Sequence, residues 1–206
     1  MAQPSRLISV FDGRSKSELM DPAYMDDETK AALKQNYDAI ANEPATWLIV
    51  ADNLGLAANL LEPHFPIDLT KETDHTRIIS ARVQGPILML RGCGLECLFK
   101  ALYVARGNKL GDGGRYVSPG GKEHDLISLA QKAAFSMSAS ESALVAYLGH
   151  FIMQGRYPMA KRAPDAYVVL ADGTRRSSAW SEQDERDYHA FRPRLRAEVV
   201  RVAKKE

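Results

Sequence analysis

The chain has 206 residues, 45% hydrophobic and 26% charged, the balance of an ordinary soluble protein of one domain with room for an appendage. Its formal net charge of +1 supplies no global field to draw it toward nucleic acid or a membrane surface. No apolar run reaches the ~20 residues of a membrane span and no signal-peptide pattern opens the chain, so the sequence predicts a cytoplasmic protein with no membrane contact.

Residues 1–25 are weakly patterned, with Leu7 to Phe11 readable either as a short strand before Asp12-Gly13 or as a surface segment. A first helix is expected from Asp26-Asp27, whose carboxylates suit a helix N-terminus, to about Ile40. A second follows Asn42, with Pro44 in its first turn and Trp47, Leu48, Val50, Ala51, Leu54, Leu56, Ala57, Leu60 and Leu61 at helical recurrence. Pro63 and Pro66 end it, and Pro66 to Thr73 reads as a connector. Helical pattern resumes near Asp74, where Pro86 predicts a kink or a break into two helices.

The segment Arg91 to Gly107, RGCGLECLFKALYVARG, is apolar on nearly every side and belongs inside other helices, enclosed by those starting near 44, 74 and 140. Glu96 and Lys100 interrupt it at i,i+4, acid first, and two charges on a buried helix each require a partner. Cys93 and Cys97 share that spacing but have no further Cys and no nearby His to complete a zinc site. They read as small core residues, and neither a metal nor a cofactor is expected.

Gly107 is a natural helix stop, and residues 107–123, with six glycines, read as a mobile surface loop. Gly121-Lys122 is followed by Glu123 rather than Ser or Thr, which rejects a P-loop. A short helix is expected from His124 to Ala134, then a capping box at Ser138 to Glu141 before a helix that stops at Gly155-Arg156-Tyr157-Pro158. Tyr167 to Leu170 and Arg175 to Trp180 flank Asp172-Gly173 as a hairpin, and Ser181 to Asp184 opens a final basic helix, kinked at Pro193. From Arg156 onward there are 12 Lys+Arg against 8 Asp+Glu, a net of +4, leaving −3 for residues 1–155. A solvated face and a basic binding patch both account for that asymmetry. The fold class is therefore mainly α: an up-and-down bundle of four to five core helices with a small β-hairpin near the C-terminus. The predicted organisation is a weakly structured segment over 1–25, the bundle over 26–162, and the hairpin and basic helix over 163–206 packed upon it.

Three pieces in order, GLECLFKALYVARG at 94–107, EHDLISLA at 123–130 and GRYPMAKR at 155–162, resemble bacterial HEPN-like proteins over roughly residues 45–200. That resemblance implies a four-helix bundle that often forms a homodimer. It also implies nucleotide binding, RNA cleavage in toxin–antitoxin or phage-defence systems, or an accessory role with a protein partner. The nuclease branch carries Arg, four to six residues, then His. None of His64, His75, His124, His150 and His189 follows an Arg at that spacing, so the resemblance points to a non-catalytic or divergent member.

Each polar candidate has a plain and a functional reading. Glu96 and Lys100 form an internal salt bridge, or Lys100 binds an anion with Arg156 while Glu96 positions it. His124 bonds a neighbouring segment, or serves as the acid or base titrating near neutrality. Arg156 answers helix carbonyls, or contacts phosphate; Asp125 and Tyr157 cap and pack, or touch a ligand. The leading expectation is a HEPN-like module that binds a nucleotide, RNA or a protein. The alternatives are a divergent metal-independent ribonuclease using His124 and Arg156, with Glu96 and Lys100 beside them, and a scaffold acting through Arg192, Arg194, Arg196 and Arg201 of the basic helix.

Overall fold

A computed structural model describes residues 25–64, 74–119, 124–154, 168–169, 173, 175–176 and 180–204. The chain is mainly helical, and its helices start where local chemistry satisfies their first N–H groups. Helix α1 (Asp27–Ala41) is capped by Asp26, whose carboxylate accepts from Thr29 N at 2.6 Å. Helix α2 (Pro44–Leu61) carries Pro44 in its first turn, as expected, and runs on into a 3₁₀ turn at Glu62–His64. The short α4 (Leu126–Lys132) is capped by Asp125, and α5 (Ala139–Gln154) follows the reciprocal Ser138–Glu141 pair. The last helix, α6 (Glu182–Ala203), opens on the capping box formed by Ser181 and Asp184.

Between α2 and α4 lies α3, one continuous helix from Asp74 to Ala105. Of the kink or break expected at Pro86, the break does not occur, and the segments starting at Asp74 and Arg91 belong to one helix. Pro86 is exposed, where water can serve the carbonyl that loses its partner, while the next two residues, Ile87 and Leu88, are buried in the bundle and hold the helix together. α6 likewise passes through Pro193 without interruption. α3 ends at Arg106-Gly107, with Gly107 at φ +80, the left-handed stop that a side chain would resist.

α3 packs most extensively on α2, then on α5, α6 and α4. Leu95, Leu98, Phe99, Ala101 and Leu102 are fully buried at its centre. Gly92 permits the close approach of α5, since a Cβ there would lie 2.6 Å from the Leu148 carbonyl oxygen. α6 contributes Tyr188, Phe191, Leu195 and Val199 to the same core. Phe191 meets Phe99 and Phe135 with centroids 5.8–6.3 Å apart, edge-on or tilted. Cys97 is buried and Cys93 packs against the core, as expected of small core residues.

The segment after α3 corrects the expectation of a mobile loop. Gly111–Asp112 (β1) pairs antiparallel with Arg115–Tyr116 (β2) about a turn in which Gly113 and Gly114 both have positive φ. Asn42 Oδ1 accepts from Leu110 N and Gly111 N, and its Nδ2 donates to Gly111 O at 2.8 Å. Asp38 accepts from Gly114 N, and Leu110 is fully buried, so the hairpin is pinned to α1. The expected second hairpin is present as Val168–Val169 (β3) paired with Arg175–Arg176 (β4). The expectations for Leu7 to Phe11, the 66–73 connector and Gly155 lie outside the described residues. No described helix is long and apolar enough to cross a membrane.

Candidate functional site

Glu96, in the buried middle of α3, accepts two hydrogen bonds at once. Lys100 Nζ, one turn further along, lies 2.8 Å from Oε1, and His124 Nδ1 lies 2.8 Å from Oε2. Their side chains are only 12% (Glu96), 16% (Lys100) and 18% (His124) exposed, so the cluster is shielded but not sealed. Lys100 is further held between two rings, its ammonium 4.9 Å from the centroid of Trp47 at the start of α2 and 5.2 Å from that of Tyr116 on β2. Four segments thus converge on one spot: α2, α3, the β1–β2 hairpin and the entry to α4.

Burial pushes the Glu96 carboxyl up, but the hydrogen bonds from Lys100 and His124 outweigh it and hold the group below its ordinary value. The same balance works on Lys100: burial lowers it, the Glu96 contact raises it further, and it remains an ammonium. A carboxylate on Nδ1 keeps the ring proton there, and in the neutral ring this leaves Nε2 as the acceptor. Among the described residues nothing bonds that Nε2. His124 also sits at φ +62, in the left-handed region that a non-glycine residue occupies at a cost. Its ring reaches Glu96 from that backbone, one residue before the cap of α4.

Of the six candidates the sequence offered, the structure brings Glu96, Lys100 and His124 together. Asp125 does not join them: its side chain accepts from Ser128 N at 3.0 Å, and it is exposed as a helix cap. Arg156 and Tyr157 lie outside the described residues.

A second polar centre was not foreseen. Arg91, on α3, is 1% exposed, its guanidinium donating to both oxygens of Glu185 at 2.7 Å and to Glu62 at 2.5 Å. It stacks within 4.6 Å of the Tyr188 centroid and 5.3 Å of Trp180. Glu185 also accepts from Trp180 Nε1 and pairs with His189. Burial would raise its carboxyl, yet Arg91 above all brings it down to about 2. Glu62, Glu185 and His189 offer ligand atoms within 4.8 Å of one another, but Arg91 already fills the place a cation would take. The signal was a lone Arg on an apolar helix, obscured because that helix was expected to begin anew there.

The basic face of α6 is not a free patch. Arg192 and Arg196 both bind Asp52, Arg194 binds Glu141, Arg201 binds Glu198, and Arg186 binds Glu182. The pairs of Arg192, Arg194 and Arg196 tie α6 to α2 and α5, while Arg186 and Arg201 pair within α6. No protein-family model, curated protein or solved structure matches the chain.

Proposed function

We propose that the chain is a HEPN-like module that binds a phosphate-bearing ligand, a nucleotide or an RNA strand, beside His124, Glu96 and Lys100. The observation carrying this reading is that one carboxylate orients an imidazole and an ammonium together, with the imidazole Nε2 left to meet a ligand. Tyr116, 45% exposed, adds a ring on which a base can stack next to the cation. A purely structural salt bridge between Glu96 and Lys100 would need neither His124 nor its left-handed backbone. Fluorescence anisotropy of a labelled oligoribonucleotide tests the proposal. Binding is expected to weaken with salt and to fall about tenfold or more in Lys100→Met and His124→Gly. Absence of binding, or binding indifferent to both changes, contradicts it.

A second reading, a divergent metal-independent ribonuclease, is favoured by the carboxylate on Nδ1. Such an imidazole is suited to take the proton of a ribose 2′-hydroxyl as that oxygen attacks the adjacent phosphorus and the phosphorus–5′-oxygen bond breaks, the departing 5′-oxygen taking a proton from water, while a cation answers the charge on the phosphate oxygens. Cleavage of RNA that disappears in His124→Gly would select this reading over binding alone. The scaffold reading through α6 gains no such support, since each of the arginines it would use already holds a carboxylate of this chain.

A further inference from the structure

The bond between His124 Nδ1 and Glu96 Oε2 joins two segments 28 residues apart in the chain, and both segments lean on α5. Adjacent positions of that helix make the two contacts. On one side the Leu148 carbonyl oxygen presses on α3, where a Cβ on Gly92 would stand 2.6 Å from it. On the other, a Cβ on Gly149 would stand 3.3 Å from the His124 carbonyl oxygen and 3.3 Å from Leu126 Cγ. Glu96 follows Gly92 by one turn, within about 40° of it around α3, so it stands beside the face that meets α5. The acid and the imidazole are thus gauged from one place, residues 148–149.

A glycine inside a helix calls for a reason. Gly149 lies well within α5, where alanine would favour the helix if nothing opposed it. Its neighbours supply the opposition. Leu126 is 2% exposed in the core, so its side chain has no room to swing aside. The other contact is main chain, the carbonyl of His124 itself, and that residue sits at φ +62. The left-handed region is a small well for a residue with a side chain, so the backbone there cannot absorb a push by turning freely. A Cβ at position 149 would require the 124–126 turn to give by a few tenths of an ångström. The imidazole would move with it relative to Glu96.

We infer that Gly149 is a positioning residue for His124: its missing side chain lets α5 hold the left-handed turn where the ring meets Glu96. The consequence for binding rests on the ligand reading above, whereas the effect on the ring can be read in the free protein. A glycine that merely eased packing would answer to stability alone. One that places His124 answers to the state of its two ring nitrogens as well.

Two-bond proton–nitrogen spectra of the full chain without ligand, in Gly149→Ala and Gly149→Val, test the inference. The His124 signals are expected to move from an Nδ1-protonated ring toward a mixture of tautomers, further in Gly149→Val than in Gly149→Ala. His189, paired with Glu185 on α6, should stay unmoved. Oligoribonucleotide affinity should fall about fourfold in Gly149→Ala, on the scale of ~10²-fold for a misplacement of ~1 Å. His124 signals that stay in place in both folded variants overturn the inference, whatever the melting temperature does. Should the variants fold poorly, a melting cycle with His124→Gly decides. Glycine adopts a wider range of φ, so Gly149→Ala should lower the melting temperature in the wild-type background and not in the His124→Gly background. Equal changes in both backgrounds overturn the inference. Tautomer shifts in a protein that binds no RNA would support the positioning role and remove the ligand reading. RNA binding by the wild type with His124 signals indifferent to residue 149 would do the opposite.

Discussion

Two residues carry more of this structure than their neighbours, and both are charged groups taken out of water. Arg91 is surrounded by two carboxylates and two rings, so removing it leaves Glu62 and Glu185 facing each other without a counter-charge. Arg91→Ala should lower unfolding free energy by about 3–5 kcal/mol in urea titrations, and Arg91→Lys should not restore it, because an ammonium cannot reproduce the two-pronged contact. The same centre sets the response to acid. Glu185 is held at about 2, below its ordinary 4.5, so its stabilisation is fully present above pH 4.5 and is lost as pH falls toward 2. Glu96 is lowered as well and acts in the same direction. Unfolding followed by circular dichroism should therefore show stability falling through that window, on the order of 3 kcal/mol from Glu185 alone. In Glu185→Gln that part of the slope should disappear. At His124 the backbone makes its own prediction. With φ at +62, His124→Gly should be about 1 kcal/mol more stable than His124→Ala, which a melting comparison reads directly.

At the scale of elements, the helix starts were legible because their signals are local. Asp26, Ser138 with Glu141, and Ser181 with Asp184 each act within a turn, and each is found capping the helix it announced. The continuity of α3 was not legible, because Pro86 is a local veto that the burial of Ile87 and Leu88 just after it overrules. The β1–β2 hairpin was read as a loop although Gly113-Gly114 is a turn signal. Its two-residue strands are too short to alternate, and its anchors, Asn42 and Asp38, stand about seventy residues upstream in the sequence. That anchoring predicts an outcome of its own. Asn42→Ala removes three hydrogen bonds and should cost about 1–3 kcal/mol. Amide exchange should quicken at Leu110 and Gly111 first, and Tyr116 should loosen over Lys100.

In the whole molecule, Arg192, Arg194 and Arg196 bind α6 to α2 and α5, while the large apolar side chains left exposed on the described helices lie on the first two. Glu96 and Lys100 were visible as a pair from their spacing, and His124 as the nearest imidazole. The convergence of α2, the hairpin and the α4 entry on them was not, because Trp47 and Tyr116 come from segments remote in sequence. The account turns on the Nε2 of His124 being free to meet a ligand while Nδ1 is held by Glu96. Two-bond proton–nitrogen correlation spectra of the histidine rings, recorded during titration with an oligoribonucleotide, measure this most directly. The predicted result is a His124 ring protonated at Nδ1 whose Nε2 signal moves on titration, with His189 unmoved, and a loss of that response in Glu96→Gln. A His124 ring protonated at Nε2 instead, or an Nε2 signal indifferent to RNA at saturating concentration, would contradict it.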